Sequence, residues 1–237
     1  MSDKLPLLLV QMGHPPLDIR TAVGEQPQWF HAALGDVGPI RVVCPFDDEP
    51  LPAVGTFSGA VISGSWAMVT DKLPWSERTA EWVRDIIQAG VPVLGVCYGH
   101  QLMAYALGGV VDYHPQGSEV GQLPVTLNDA ALHDPLLSGL PYNFDTFLSH
   151  EQSVLTLPPD AVVLGASSHD PHQIIRYSAN ALSVQFHPEF NAAVMNKIIT
   201  SRSERVAMKG KDRDELLGKV SDTPSARAIL QRFVASL

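Results

Sequence analysis

Cysteine occurs only twice in this 237-residue chain, and charged residues make up just 17% of it. Two cysteines are too few for the disulfide framework of a small stapled scaffold, so both thiols are expected to stay reduced. Positive charge is also scarce: 16 Lys and Arg stand against 25 Asp and Glu, for a formal net charge of -9. A nucleic-acid surface needs a concentrated positive field, which this balance does not supply. The one basic run, residues 209–213, is interleaved with Asp212 and Gly210 and reads as a solvated turn. No apolar stretch approaches the ~20 residues of a membrane span, and residues 1–4 lack the apolar core of a signal peptide, so a cytoplasmic protein is expected. None of the nine histidines or two cysteines falls into metal-ligand spacing such as H-E-x-x-H or paired C-x-x-C, and no phosphate-binding P-loop occurs. Neither a metal nor a cofactor is expected.

What is present is a 45% hydrophobic composition, enough to bury a sizeable core. Nothing rich in Pro and Ser or in charge interrupts the chain. It therefore reads as a single domain over residues 1–237, with 191–237 a C-terminal helical extension.

The most informative stretch is residues 91–109. Residues 91–96 form a short aliphatic run suited to one buried strand, and from Tyr98 to Leu107 apolar residues recur at helical spacing until Gly108 and Gly109 stop them. The period changes at Cys97. A residue at such a strand-to-helix turn is thrust out on a sharp bend, and Gly95 and Gly99 remove the Cβ atoms that would clash there, the logic of a nucleophile elbow with sulfur in place of oxygen. The helix N-terminus favours thiolate over thiol. A packed core thiol is the competing reading, but packing alone does not call for two flanking glycines at a switch of period. Cys44, at the end of an expected strand, is read as a packed thiol.

A thiol nucleophile needs a base, and the base needs a group to orient it. In residues 181–190, Leu182, Val184 and Phe186 alternate with Ser183 and Gln185 as in a strand, and His187 and Glu189 follow. Residues two apart in extended chain project to one side, so Glu189 is expected to reach one ring nitrogen of His187 while the other faces the sulfur. Pro188 fixes its own φ between them. His150 is set aside as the base because it lacks a nearby ordering acid with the strand-end geometry expected of His187 and Glu189.

Four segments, V-I-S-G-S at 61–65, G-V-C-Y-G-H-Q at 95–101, L-S-H-E-Q-S-V at 148–154 and F-H-P-E at 186–189, resemble in order and spacing the class I glutamine amidotransferases. The likeness covers roughly residues 5–190 and is similar to the free-standing domains related to the glutaminase part of GMP synthase. It implies a flavodoxin-like, open, mostly parallel sheet with helices on both faces and an appended small antiparallel layer. It also implies a triad of Cys97, His187 and Glu189, with oxyanion donors from Gly64, Ser65 and the Tyr98 N–H. Gln101, Ser149, His150, Glu151 and Gln152 inherit the grip on the substrate's amino-acid end. Three positions depart from the pattern: Ser65 stands where many relatives have a second glycine, Trp66 where they have proline, and Glu151 where synthase-type motifs often have glycine.

Along the chain, strands are expected at 5–12, 40–44 and 57–63 and helices at 28–34 and 76–89, with a loop over 14–27. Alternation of strand and helix argues for a parallel sheet, whose chemistry gathers at the C-terminal strand edges. Short strands at 110–113, 119–127, 142–148 and 161–166, then a hairpin of 172–177 with 182–186, form the antiparallel part. A final helix is expected after Thr223 as cap and Pro224 in the first turn. The functional expectation is hydrolysis of glutamine through a cysteinyl thioester, with any ammonia acceptor on a separate synthetase subunit. Two alternatives stand beside it: a peptidase for γ-glutamyl compounds, and a regulatory subunit that is silent or activated by a partner. A dienelactone-type hydrolase would place its acid before the histidine, whereas Glu189 follows His187.

Overall fold

The computed structural model describes residues 4–202 and 212–237. The extreme N-terminus and Lys209, Gly210 and Lys211 of the basic run therefore lie outside the described residues.

The elements in chain order are β1 (Leu7–Val10), α1 (Leu17–Val23), α2 (Gln26–Leu34), β2 (Ile40–Val43), β3 (Gly59–Ile62), α3 (Pro74–Gln88), β4 (Val93–Val96) and α4 (Tyr98–Ala106). There follow β5 (Val110–Tyr113), β6 (Glu119–Leu127), β7 (Asn143–His150), β8 (Gln152–Thr156), β9 (Val162–Ala166), β10 (Ile174–Ser178) and β11 (Ala181–Val184). The chain closes with α5 (Ala192–Ser201), α6 (Arg213–Gly218) and α7 (Pro224–Ala235).

Nine strands form one sheet in the order β2-β1-β3-β4-β11-β10-β9-β6-β7. The run from β2 to β11 is parallel, and from β10 onward neighbours are antiparallel. The antiparallel part thus takes two forms: it extends the main sheet through β10, β9, β6 and β7, and it makes a separate pair, β5 with β8. The central strands are buried on both faces, which is why β1, β3 and β4 read as unbroken apolar runs. One apolar layer gathers Phe30 of α2 and Ile229, Leu230 and Phe233 of α7 over Leu94, Leu182 and Val184. The opposite layer gathers Val83 and Ile86 of α3 and Leu102 and Met103 of α4 over Leu8, Ile62 and Val93.

Several expected boundaries shift. The loop expected over 14–27 contains α1, and α2 begins two residues before the expected start, because Glu25 and Gln28 close a capping box around Pro27 in the first turn. Proline is tolerated there since those N–H groups have no intrahelical acceptor. In α3, Ala80, Val83 and Ile86 make the core contact, while Trp82 and Ile87 are half-buried at the rim of their layer. Thr223 does stand at the N-cap of α7, but its hydroxyl makes no capping bond.

Candidate active site

Cys97 sits between β4 and α4 with φ 51° and ψ -99°. The turn is held from both sides: the Cys97 N–H donates to Val184 O at 2.9 Å, and the Gly99 N–H donates to Ser63 O at 3.2 Å. A Cβ on Gly99 would lie 2.3 Å from Ile62 O, and one on Gly95 would lie 2.6 Å from Met103 Sδ and 2.7 Å from the Gly99 carbonyl carbon. The two glycines are therefore required by close approach of neighbouring backbone, as the G-x-C-x-G pattern predicts.

β11 is the hydrogen-bonded neighbour of β4, with Val184 paired to Val96, so the chain leaving β11 emerges beside Cys97. Its continuation does not stay extended. The Phe190 N–H donates to His187 O at 3.4 Å, and this turn brings Glu189 Oε1 to 2.7 Å from His187 Nδ1. The expected contact is present, delivered by a turn rather than by strand alternation. Two further supports for the ring were not visible in the sequence: the His187 N–H donates to Phe147 O of β7 at 2.8 Å, and the Phe190 ring stacks on the imidazole with centroids 3.9 Å apart.

Electrostatics couple the sulfur and the imidazole. Burial penalises charge on both, but the attraction outweighs it. Burial raises the Cys97 thiol, yet the facing His187 and, more weakly, His150 leave the thiol below its usual range. Burial lowers His187, yet Glu189 and Cys97 push it up to about 10. These directions favour a thiolate facing an imidazolium, with Glu189 holding the far nitrogen.

Ser63, Gly64 and Ser65 form the loop after β3. The Ser63 hydroxyl accepts from the Met12 N–H at 3.0 Å and donates to Gly64 O at 2.9 Å, and Ser65 Oγ accepts from the Ala67 N–H at 3.1 Å. A Cβ on Gly64 would lie 3.0 Å from His187 Cε1, so the loop runs directly against the imidazole. Tyr98 is the first residue of α4, where a backbone N–H has no intrahelical acceptor. Its phenol is held by Ser76 at 2.6 Å, and burial pushes it up to about 12.

The cleft over Cys97 has two lobes. The larger, of ≈ 620 Å³, is lined by Gln101, Ser149, His150, Glu151 and Gln152, all five residues expected to hold a substrate, together with Tyr98 and Met68. The smaller, of ≈ 310 Å³, extends past His187 between Trp29, Trp66, Phe190 and Ile198. Within the larger lobe much polar capacity is already committed. Gln101 Nε2 donates to Gln152 O at 2.6 Å and to Gln185 Oε1 at 3.0 Å. The Gln152 amide spans the turn at Val69–Asp71, accepting from the Val69 N–H at 3.1 Å and donating to Thr70 Oγ1 at 2.6 Å. His150 corrects the sequence reading, since an acid does order it: Glu119, at the start of β6, lies 3.0 Å from its Nε2. Cys44 stands apart from the cleft just past β2, half-buried, its thiol donating to Gln11 Oε1 at 3.7 Å and raised to about 11 by burial and nearby acids.

Fold and site together define an α/β protein with a cysteine elbow and a His–Glu pair at the carboxyl edge of its parallel strands. The family model described as Glutamine amidotransferase class-I matches residues 30–203, and the chain belongs to that family. It is 35% identical over 139 residues to "GMP synthase [glutamine-hydrolyzing]" of Thermosipho africanus, covering 57% of this chain and 26% of that protein. It is 38% identical over 141 residues to the protein of the same name from Aeropyrum pernix, covering 60% and 25%. The chain therefore aligns with about a quarter of the length of these curated relatives. The crystal structure of a glutamine amidotransferase from Thermotoga maritima shares the fold at TM-score 0.77 and 21% identity, covering 97% of this chain and 98% of that one. A glutamine amido transferase from Methylobacillus flagellatus does so at 0.76 and 22%, covering 99% and 96%. Among the described residues no helix is long and apolar enough to cross a membrane.

Proposed function

We propose that this chain, working as one glutaminase unit, hydrolyses the side-chain amide of glutamine with Cys97 as nucleophile. The thiolate attacks the amide carbon, and the oxyanion is met by the N–H groups of Tyr98 and of the Gly64–Ser65 loop. Such a donor is worth about 3–4 kcal/mol where one has been removed. As the C–N bond breaks, His187 gives its proton to the departing ammonia, leaving a γ-glutamyl thioester on Cys97. His187 then takes a proton from water, whose oxygen attacks the thioester and releases glutamate and the thiolate. Glu189 keeps the imidazole in one orientation throughout. The reading is carried by one observation, the 2.7 Å contact of Glu189 with an imidazole that faces the Cys97 sulfur.

Glutamine is assigned to the larger lobe, with Gln101 and residues 149–152 around its amino-acid end. Ammonia would pass to an acceptor on a separate synthetase subunit, as the partial match to GMP synthases suggests. A second reading, cleavage of γ-glutamyl compounds, draws support from the smaller lobe. It lies on the His187 side, where a leaving amine departs, and ammonia makes no use of its aromatic walls. Purified protein and a Cys97→Ala variant, assayed for ammonia from glutamine and for amine from a γ-glutamyl dipeptide panel, test both readings. Turnover of glutamine by the parent alone is expected, and equal turnover by the variant overturns the assignment. A parent that turns over only with an added synthetase would mark a partner-activated subunit.

A further inference from the structure

Glu119 opens β6 and His150 closes β7, and the antiparallel register sets the two directly opposite each other. Both side chains are almost wholly buried. His150 Nδ1 lies 2.9 Å from Gln152 O, an atom that can only accept, so Nδ1 carries a proton. Nε2 lies 3.0 Å from Glu119 Oε2. That carboxylate also accepts from Ser167 Oγ at 2.7 Å and from Gln173 Nε2 at 2.8 Å. These two donors favour the ionised carboxylate, which accepts and cannot donate, so the proton shared with His150 sits on Nε2. Two ring N–H groups make the ring an imidazolium.

We propose that Glu119 and His150 form a second, permanently charged dyad, with His150 in the wall of the lobe that Cys97 also lines; there His150 acts as a positioning residue, its imidazolium holding the Cys97 thiolate electrostatically and fixing the wall of the substrate lobe. No proton transfer is involved. The wall is fixed because the Gln152 carbonyl that accepts from His150 also accepts from Gln101 Nε2 at 2.6 Å, tying three lobe residues to one atom. The groups facing His150 are Glu119 from β6, Cys97 from the β4–α4 turn, Asp170 from the loop between β9 and β10, His100 from α4 and His114 from the end of β5. Among the described residues Glu119 alone makes a direct ion pair with it. Glu119, His150 and Asp170 are also the one set among the described residues whose atoms lie close enough together to hold a metal ion. The 3.0 Å separation fits an N–H···O bond, and the proposal places a proton, not a metal ion, between them.

The inference rests on Cys97 being the nucleophile, and its test needs no turnover. Alkylation of Cys97 by iodoacetamide, resolved from Cys44 by mass spectrometry, is followed across pH in the parent, Glu119→Gln and His150→Gln. Both variants are expected to raise the apparent Cys97 pKa by about one unit, a roughly ten-fold slower reaction below that pKa. An unchanged profile in folded variants overturns the proposal. Should the variants fail to fold, the nitrogen NMR shifts of His150 in the parent decide: an imidazolium at pH 7 supports the dyad, and a neutral tautomer refutes it. A stoichiometric metal ion in the purified protein also refutes it, because Nε2 would then be a ligand. A parent that alkylates as expected but fails to cleave glutamine sinks the reading of the reaction and leaves the dyad standing.

Discussion

A residue with a Cβ pays about 1–3 kcal/mol for the backbone conformation that Cys97 adopts, and such strain persists only where neighbours over-determine it. Here the neighbours are Val184 and Ser63, each bonding one peptide of the turn. Gly99→Ala places a methyl against the Ile62 carbonyl, and a loss of about 1–3 kcal/mol or more is expected in urea unfolding, with activity falling alongside. Glu189→Gln keeps the shape of the His187 contact and removes its charge. A drop in kcat of roughly 10²–10⁴ is expected. The pH profile adds a sign: activity in the parent is expected to appear as Cys97 ionises and to fade as His187 loses its proton at about 10, and the variant's alkaline limb is expected at lower pH. For stability, the folded His187 lies above its ordinary 6.5, so its contribution is complete below that value and lost as pH rises through about 10. Cys97, His187 and Glu189 were readable in the sequence because the elbow and the His-x-Glu pair are local patterns. Glu119 was not, because it meets His150 across a strand register, 31 residues away.

Helix starts show what local chemistry does and does not announce. The sequence signals for α2 were present in Glu25, Pro27 and Gln28, but the proline density nearby favoured a loop and hid α1 as well. Glu25 does more than cap, since it also accepts from Gln11 Nε2 at 3.1 Å and meets His14 Nδ1 at 2.8 Å. Glu25→Ala is expected to lower stability by about 1 kcal/mol, read as a shifted urea midpoint. Thr223 gives the opposite case. Its position matches a cap, yet its buried hydroxyl has no hydrogen-bond partner among the described residues. Thr223→Val is therefore expected to be neutral or stabilising, since an unsatisfied buried hydroxyl costs roughly 1–3 kcal/mol. A loss of about 1 kcal/mol would show that the hydroxyl does cap α7. The strand β8 escaped the sequence reading because its pairing with β5 gives no periodic signal over five residues.

At the scale of the molecule, the apolar pattern of the sheet was legible and its topology only partly so. Leu182, Val184 and Phe186 are buried as expected, but Ser183 and Gln185 are buried too, in polar contacts with His100 and Gln101 on the other side. Alternation therefore marked two interiors rather than a core and a solvent face. Truncating the helix that seals one of them should cost stability without touching chemistry. Leu230→Ala in α7 is expected to lose about 2–5 kcal/mol in thermal or urea unfolding, with kcat unchanged in the protein that remains folded.

Sulfur and imidazole arrive on adjoining strands whose ladder registers Val96 with Val184. Sliding one strand past the other by a single position would carry the chain that leads to the ring about 3.3 Å out of register with the sulfur. While the ladder is zipped the two strand ends stay side by side, and once it unzips the reactive centre is lost. Heat inactivation should therefore superimpose on the loss of secondary structure, with no dimmed but folded species between them.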